Sequence, residues 1–554
     1  MHNTKQKITL TAAALVVALS LSACGGGAAD GTSASAKSDP NAIITAFDTE
    51  PQNELIPGNI NERGGGRPSS MLFSGLVGIT PDGKTVNEVA ESMTANADKS
   101  QYTIKIKSGW KFTDGTPVTA SSFTKAWSYT ANAVNAQKGS SFFSLIKGYD
   151  ELQSTNNKSD AQLSGLKVID DHTFTVDLIQ PDSVFPTKVC YDAFFPLPES
   201  FYKDPKAFGE HPISNGPYKF QSWEHNKSIQ LVKNPDYKGQ FKPRNGGITF
   251  KIYTASDAAY ADIQAGNLDL MENVPASASK TFTTDTNVQS FNKAGSSIAA
   301  VALPSNLEHF KEDQEGILRR QAISMSIDRE SICKKVLNDT ASPAASYSAP
   351  TIQGYTTDLE NSGNIKYNPK KAKELWEQAN KISKIPADYK LTFSYNADES
   401  SFKSVYKAVA NMVKTNLGVD TEDQPVPTFQ EYRQDITARK MTGAFHAGWT
   451  PDYPSVENYL HPIYASDAAD GKGANDTDYK NPEFDDLIKQ AAKAPDSKAE
   501  YALYAKAQGL LLRDLPGIPL YYLNRTGAAS KQVKDFTMSW QNYPVYWMAS
   551  VTSK

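Results

Sequence analysis

Cysteine, histidine and excess charge are scarce in this chain. Of its 554 residues only 3 are cysteine and 7 are histidine, and 57 basic residues nearly balance 61 acidic residues. Nucleic-acid binders usually concentrate basic charge, so we predict no nucleic-acid partner. The same scarcity excludes a disulfide scaffold, and Cys190 and Cys333 are predicted to be small buried apolar residues.

Long apolar runs are also missing, except near the N-terminus. No later segment is apolar over the length that a membrane-spanning helix requires. The chain does have 39% hydrophobic and 10% aromatic residues, which is enough for real cores and too many for a disordered chain. Its length suits about three or four domains.

The N-terminal segment has the pattern of an export signal. Lys5 and Lys7 precede an apolar run that is too short to span a membrane comfortably. The sequence Leu-Ser-Ala-Cys at 21–24 resembles the bacterial lipobox, which implies removal of the signal peptide 1–23 and attachment of lipid, palmitate included, to Cys24. The alternative is an ordinary signal peptide followed by a chance cysteine.

The residues after the signal are mostly small and polar. Glycine, alanine, serine and threonine dominate the stretch 24–40, which buries too little apolar surface to offset the entropy of ordering. We therefore expect 24–40 to be a flexible tether. It would hold an extracytoplasmic body at the cell membrane through the lipid on Cys24.

Two periodicities in the body predict a mixed α/β fold. Apolar and polar residues alternate in Tyr102–Ile106, Phe174–Leu178 and Ile248–Ile252, which predicts half-buried strands. Asn368-Pro369 and Asn481-Pro482 each place an N-cap and a first-turn proline before apolar residues at helical spacing. These two pairs predict helix starts.

A nucleotide-binding pattern occurs once. Residues Gly78–Thr85 match the phosphate-loop pattern G-x-x-x-x-G-K-[ST] letter for letter. A phosphate loop cradles its ligand with successive backbone N–H groups, and Pro81 removes one of these donors. Residues 81–83, Pro-Asp-Gly, are a strong turn sequence, so we predict a turn rather than a nucleotide site.

Other catalytic and metal patterns are incomplete. Ser331–Lys334 and Ser404–Lys407 fit S-x-x-K, but the S-D-N and K-T-G elements that accompany this motif in serine acyl enzymes are missing. The acidic loop 466–478 lacks the spacing of a calcium loop. We therefore predict a binding protein that is not an enzyme, with no metal and no cofactor. A secreted serine hydrolase built on an S-x-x-K pair is the competing hypothesis.

Four stretches, in order along the chain, carry a family resemblance. They are Tyr102–Ala120 (YTIKIKSGWKFTDGTPVTA), Asn215–Phe220 (NGPYKF) continuing to Asn234–Tyr237 (NPDY), Arg319–Arg329 (RRQAISMSIDR) and Gly448–Pro454 (GWTPDYP). Together they resemble the extracytoplasmic solute-binding proteins of bacterial peptide ABC transporters, the dipeptide/oligopeptide-binding family (family 5). The order and spacing fit from about residue 40 to the end.

The resemblance implies a bilobal clamp of the periplasmic-binding-protein type, with mixed sheets, flanking helices and one extra domain. Domain I is expected at 40–80, 200–303 and 520–554, domain II at 81–199 and domain III at 304–519. Two chain crossings would form the hinge, and the ligand would lie between the lobes. The clamp is expected to be a monomer.

The same resemblance implies a set of peptide-binding residues. In the family the aspartate of a W-x-x-D-Y stretch holds the peptide ammonium, and the matching residue here is Asp452; from the residues alone, a plain turn residue is the alternative. Trp449 and Tyr453 would wall the pocket, or pack in the core. Main-chain groups of Gly448 and Thr450 on one side, and of Arg63, Gly64, Gly65 and Gly66 on the facing lobe, would pair with peptide amides, the alternative for the glycines being a flexible loop.

His446 is a departure from the family pattern. Oligopeptide-binding members can carry an arginine three residues before the tryptophan, where it helps receive a peptide carboxylate. Histidine is only partly charged near neutral pH. Its alternative role is that of a hydrogen-bonded strand histidine.

The implied function is capture and delivery. The chain is expected to be a lipid-anchored receptor that binds short peptides and presents them to the permease of an ABC transporter. The alternative keeps the clamp and changes its cargo to a non-peptide solute, such as an oligosaccharide or a metal complex.

Overall fold

The computed structural model describes residues 38–397 and 400–552. The predicted signal peptide 1–23, the lipid-attachment residue Cys24 and most of the predicted tether lie outside the described residues. The last residues of that tether, 38–40, belong to the folded body, because Ser38 pairs with Thr552 and the Asp39 N–H donates to the carbonyl of Val551.

The largest sheet has eleven strands in the order β15-β14-β16-β12-β17-β11-β1-β10-β9-β8, with β13 paired to β17. Its pairs β1–β10, β1–β11, β14–β15 and β14–β16 are parallel and the others antiparallel, so the sheet is mixed. Its strands are β1 (Ile43–Asp48), β8 (Tyr218–Glu224), β9 (Ser228–Lys233), β10 (Gly247–Ile252), β11 (Leu270–Glu272), β12 (Val288–Ala302), β13 (Ala341–Pro343), β14 (Lys390–Asn396), β15 (Asp420–Val426), β16 (Ala444–Trp449) and β17 (Gly517–Ser530).

Three smaller sheets contain the remaining strands of the described residues. An antiparallel sheet in the order β4-β5-β7-β6 and two two-stranded sheets, β2–β3 and β18–β19, stand apart from the main sheet. Their strands are β2 (Val77–Ile79), β3 (Thr85–Asn87), β4 (Ala90–Ala95), β5 (Gln101–Ile106), β6 (Leu166–Asp170), β7 (Thr173–Asp177), β18 (Val533–Lys534) and β19 (Ser550–Val551).

Helices flank the sheets. They are α1 (Arg63–Leu72), α2 (Ala120–Ala131), α3 (Phe185–Lys188), α4 (Pro205–Glu210), α5 (Ser256–Ala265), α6 (Gln314–Ser326), α7 (Arg329–Ser331), α8 (Pro369–Ile382), α9 (Ser400–Leu417), α10 (Phe429–Thr437), α11 (Glu457–Tyr464), α12 (Pro482–Ala491) and α13 (Ser497–Asp514), with a π-helical turn at Ile332–Val336 and 3-10 helices at Pro57–Asn59, Ala133–Asn135, Ser140–Phe143, Asp150–Gln153, Asp192–Phe194, Glu199–Lys203, Ser362–Ile365 and Ser466–Ala468. Within the described ranges, none of these helices has the length and apolar character needed to cross a membrane.

The local predictions from the sequence are confirmed where they depend on periodicity and capping. The alternating stretch Tyr102–Ile106 lies in β5 and buries its apolar face. Asn368 caps α8 by accepting a hydrogen bond from the Lys371 N–H. Asn481 caps α12 in the same way, accepting from Glu483 and Phe484.

The motifs judged incomplete also have plain structural roles. The phosphate-loop match is the β2–β3 hairpin, whose turn has Gly83 at φ +84°. In the first S-x-x-K match, Ser331 donates to the Asp328 carboxylate (2.7 Å), which caps α7. Asp476 and Asp478 of the acidic loop pair with Arg433 and Arg439.

Two large hydrophobic cores divide the body into two lobes. The first draws its residues from Ile44–Phe250, Leu270 and Ala529–Val551. The second draws on Ile298–Tyr522 and Trp540. Strands β12 and β17 pair with each other over both lobes, and their register shifts between Ala294 and Ile298. This strand pair is therefore the continuous connection between the lobes.

Helix α1 is fixed to the first lobe by a buried ion pair. Arg67 is 2% exposed, its Nη1 lies 2.6 Å from Asp48 Oδ1 on β1, and its Nη2 contacts Glu272 on β11. Burial raises the pKa of Asp48, and the Arg67 charge opposes this. The carboxylates and the guanidinium depend on one another, because each would otherwise be a buried, unpaired charge.

We predict that Arg67→Met destabilises the fold by about 3–5 kcal/mol, because Asp48 and Glu272 would remain buried without a cation. Equilibrium urea unfolding measures the change. Arg244→Met is the matched control, because Arg244 is 52% exposed and pairs with Asp535 at the surface; it should cost under about 1 kcal/mol. An Arg67→Met protein as stable as the control would contradict the role of this ion pair.

Candidate ligand-binding site

A cavity of about 440 Å³ lies where the two lobes meet. Its walls come from the start of α1, the segment 190–195, the turn 450–452 and the C-terminal stretch 539–547. Within the described part of the chain, nine aromatic residues line it: Phe73, Tyr191, Phe195, Tyr237, Phe241, Trp540, Tyr543, Tyr546 and Trp547. A largely apolar wall with a few charged groups is the usual composition of a small-molecule site.

The second lobe contributes Thr450, Pro451 and Asp452 to the wall. These residues follow the end of β16, where the Thr450 hydroxyl lies 2.8 Å from that of Ser297. The Asn458 side chain holds the turn, because its carbonyl oxygen accepts from the Asp452 N–H (3.0 Å).

The Asp452 carboxylate has no cation partner among the described residues. Burial raises its pKa, the Asn458 side chain lowers it in part, and the like charge of Glu457 raises it further. A carboxylate in this setting is a strong receptor for a positively charged group, because the ligand would neutralise a charge that the protein leaves uncompensated.

The first lobe contributes Arg63 to the wall. Its guanidinium carbon lies 5.1 Å from the centre of the Tyr543 ring, a cation–π distance. Arg63 is the first residue of α1, and the fixed position of Arg67 one turn later holds the helix in place.

A second carboxylate, Asp192, lines the cavity beside Cys190 and Tyr191. Burial raises the pKa of Asp192 to about 7, and the neighbouring Ser69 hydroxyl offsets this in part. The charges of Asp192 and Asp452 both raise the pKa of Tyr191, so the two carboxylates approach the same patch of wall. Cys333 is buried as predicted, whereas Cys190 is only half-buried and faces the cavity, which corrects the prediction of a plain core residue.

Several residues expected at the site do not line the cavity. The indole N–H of Trp449 donates to Asn458 Oδ1 (2.9 Å), and Tyr453 is buried with its hydroxyl donating to Glu457 (2.6 Å). Gly448 lies within β16 and pairs with Ala299. Trp449 supports the Asp452 turn indirectly, because it donates to the same Asn458 oxygen that accepts from the Asp452 N–H.

His446 also lies away from the cavity. On β16, its Nδ1 lies 2.7 Å from the Tyr406 hydroxyl, and the ring packs 4.0 Å from that of Phe402. Burial lowers the pKa of His446 to about 4. The imidazole is therefore uncharged near neutral pH, and it packs inside the second lobe.

The glycine stretch after Arg63 is helical, so the alternative expectation of a flexible loop is wrong. The Gly65 N–H donates to the side chain of Glu62, and the Gly66 N–H donates to the Glu62 carbonyl. Those two amides are therefore occupied. A side chain at Gly64 would place its Cβ 2.6 Å from the Thr49 carbonyl oxygen, so packing alone requires glycine there. Of the three glycines, only Gly66 lines the cavity.

The lobes also touch through a group of buried charges. Lys188 Nζ lies 2.8 Å from Asp182 Oδ2 in its own lobe and 3.5 Å from Glu457 Oε1 in the other. His461 Nδ1 lies 3.4 Å from the same carboxylate. Burial raises the pKa of Glu457, but the charges of Lys188 and His461 outweigh it and hold the pKa at about 2. This group is neutralised within the protein, unlike Asp452.

Two lobes around one cavity, joined by a pair of strands, define a clamp of the solute-binding type. The family model "Bacterial extracellular solute-binding proteins, family 5 Middle" matches residues 84–471. This match covers more than half of the chain, and the chain belongs to this family. The predicted fold class and family are confirmed.

Curated relatives and solved structures match this chain over most of its length. The chain is 29% identical to the oligopeptide-binding protein OppA of Bacillus subtilis, over 96% of this chain and 97% of OppA. It is 29% identical to the dipeptide-binding protein DppE of the same organism, over 84% of each chain. The unliganded open form of the murein tripeptide-binding protein MppA superposes with a TM-score of 0.80 at 24% identity, covering 92% of this chain and 97% of MppA.

Family 5 solute-binding proteins are binding proteins and not enzymes. The prediction drawn from the missing catalytic residues is thereby confirmed, and the serine-hydrolase hypothesis is wrong. Ser404 and Lys407 lie exposed on α9, as expected for a solvated helix face.

We predict that Lys188→Met opens the ligand-free protein. Asp182 and Glu457 would lack their shared cation, and separating the lobes rehydrates both carboxylates. Small-angle X-ray scattering should record a larger radius of gyration. Lys125→Met removes an exposed pair with Glu199 and is the matched control. Identical scattering from Lys188→Met and wild type would rule out a closing role for this contact.

Proposed function

We propose that this protein is a receptor that binds short peptides between its lobes and delivers them to the permease of an ABC transporter. The observation that carries the proposal is Asp452, which lines the cavity without a cation partner among the described residues. A peptide ammonium is a matching ligand, because it forms short charge-assisted hydrogen bonds to a carboxylate. The names of the relatives, an oligopeptide-binding and a dipeptide-binding protein, support the same cargo.

Binding is coupled to closure in this proposal. A ligand that touches walls from both lobes binds the closed form better than the open form, and so shifts the population toward closure. The aromatic walls and enclosed water then accommodate variable peptide side chains. Release to a permease would require the lobes to separate again.

The domain boundaries are part of the proposal. We place domain I at 40–80, 200–303 and 520–554, domain II at 81–199 and domain III at 304–519. The four-stranded sheet β4–β7 lies within domain II, and the two hydrophobic cores agree with a division into two lobes. The β12–β17 pair would supply the hinge.

Membrane attachment is a further part of the proposal. Cleavage after residue 23 and lipid on Cys24 would hold the receptor, as a monomer, at the outer side of the cell membrane, close to a permease. The lipobox-like sequence at 21–24 supports this. The family description, extracellular solute-binding proteins, agrees with that location.

A non-peptide solute is the second candidate cargo. The nine aromatic residues of the cavity favour it, since a sugar receptor uses aromatic platforms and uncharged donors. The uncompensated Asp452 favours the peptide, since a neutral sugar brings no cation for it.

We predict that Asp452→Asn weakens the binding of short peptides with a free N-terminus by about 2–5 kcal/mol, because a buried ammonium would lose its counter-charge. Isothermal titration calorimetry with free and N-acetylated peptides measures the effect. The acetylated peptides should bind wild type weakly and be insensitive to the substitution.

The control for this test is Asp420→Asn, which removes an exposed carboxylate paired with Lys414 and should leave affinity unchanged. Equal wild-type affinity for free and acetylated peptides would refute the ammonium role of Asp452. Tight binding of an oligosaccharide, with no peptide binding, would favour the second cargo.

We also predict that Cys24→Ser releases the protein from the membrane fraction into the soluble fraction, since serine offers no thiol for lipid attachment. Cell fractionation and intact-protein mass spectrometry measure this. Cys333→Ser is the matched control, because Cys333 is buried in the second lobe. A Cys24→Ser protein that still sediments with membranes would contradict lipid anchoring.

A further inference from the structure

Arg63 is a cation that the protein itself does not neutralise. It is the only lysine or arginine among the described residues that line the cavity. Its Nη1 is buried and has no hydrogen-bond partner within the described part of the chain. It forms no ion pair there, although Glu62 is its neighbour in sequence. A buried guanidinium donor without an acceptor is costly, so its presence in a cavity indicates a ligand acceptor.

Four acidic residues of the described chain line the cavity, Glu62, Glu88, Asp192 and Asp452, and none of them forms an ion pair with Arg63. Asp192 lies beside the Ser69 hydroxyl. Glu62 accepts from the N–H groups of Gly65 and Gln52 and so caps α1. Glu88 accepts a hydrogen bond from the Tyr237 hydroxyl. Asp452 comes from the opposite lobe. The Arg63 guanidinium lies within cation–π distance of the Tyr543 ring, a contact that leaves the buried Nη1 without a hydrogen-bond acceptor.

We propose that Arg63 receives the terminal carboxylate of the bound ligand, so that the cavity holds both charged ends of one short zwitterionic peptide. This inference rests on the proposed peptide-binding function and adds its second anchor. A planar, always-charged guanidinium matches a carboxylate through two parallel hydrogen bonds. Asp452 on one lobe and Arg63 on the other then make closure depend on a ligand that reaches both.

Arg63 is not the residue that the sequence pattern indicates for the peptide carboxylate. The family pattern points to the position of His446, but that side chain packs against Tyr406 and Phe402. Arg63 lies in the first lobe instead. The ligand length is thereby limited to peptides whose two ends fit one cavity of about 440 Å³.

The test is calorimetric titration of ligand-stripped protein with di- to penta-alanine, each as the free acid, the C-terminal amide and the N-acetylated acid. For the best-binding length, wild type should bind the amide about ten- to a hundredfold more weakly than the acid, as expected for charge-assisted hydrogen bonds. Arg63→Gln should lower the affinity for the acid to the level of the amide and remove the difference between them. The penalty for N-acetylation should persist in Arg63→Gln.

Two further variants keep the test decisive. Arg63→Lys retains the charge without the planar fork and should recover part of the preference for the acid. Arg433→Gln, which removes an arginine paired with Asp476 outside the cavity, should match wild type. Thermal unfolding checks that each variant is folded, and the acid–amide comparison on wild type needs no variant at all.

Three results would overturn the inference. Equal wild-type affinity for acid and amide, while N-acetylation still weakens binding, would remove the role of Arg63 and leave the proposed function intact. An additional amide peptide in which glutamate replaces one alanine tests the alternative: if it binds as tightly as the free acid, and only when Arg63 is present, the arginine would be reassigned to ligand side chains. Failure of every alanine peptide to bind would refute the proposed function, and this inference with it.

Discussion

A charged group that is buried between two lobes needs a partner of opposite charge. The charged groups between the lobes of this protein meet that constraint in two ways, and so fall into two kinds. Lys188 and Glu457 meet across the lobes and neutralise each other. Asp452 and Arg63 line the cavity and have no ionic partner among the described residues. The first kind stabilises the contact between lobes, and the second kind leaves the closed cavity incomplete without a ligand.

The rest of the fold places these groups. Arg67 fixes α1 to the main sheet through Asp48 and Glu272, so the start of that helix, and Arg63 with it, has a defined position. On the other lobe, Asn458 holds the turn that carries Asp452. The paired strands β12 and β17 connect the lobes. Relative movement of the lobes would therefore change the distance between the two anchors while each keeps its own local support.

The sequence motifs indicate the segments that form the site better than they indicate the side chains that line it. A motif predicted that 448–454 carries the ligand contact, and Thr450 and Asp452 do line the cavity. Trp449 and Tyr453 do not line it, and their polar atoms bond instead to Asn458 and Glu457. Asp192 and Tyr543 were missed: they are distant in sequence, belong to no recognised motif, and meet the site only through the tertiary fold. The helix at Arg63–Leu72 was also missed, since three glycines disfavour helix and the Glu62 cap and the Arg67 ion pair outweigh that preference.

The central claim is that the cavity binds a ligand by neutralising charges that the protein leaves unpaired. The most direct measurement is a crystal structure of the protein with the ligand that co-purifies with it. The account predicts a peptide in the cavity, with its ammonium within hydrogen-bond distance of Asp452 and an acceptor group on Arg63. A bound guest that leaves the Asp452 carboxylate facing bulk water, or a neutral guest that touches neither residue, would contradict it.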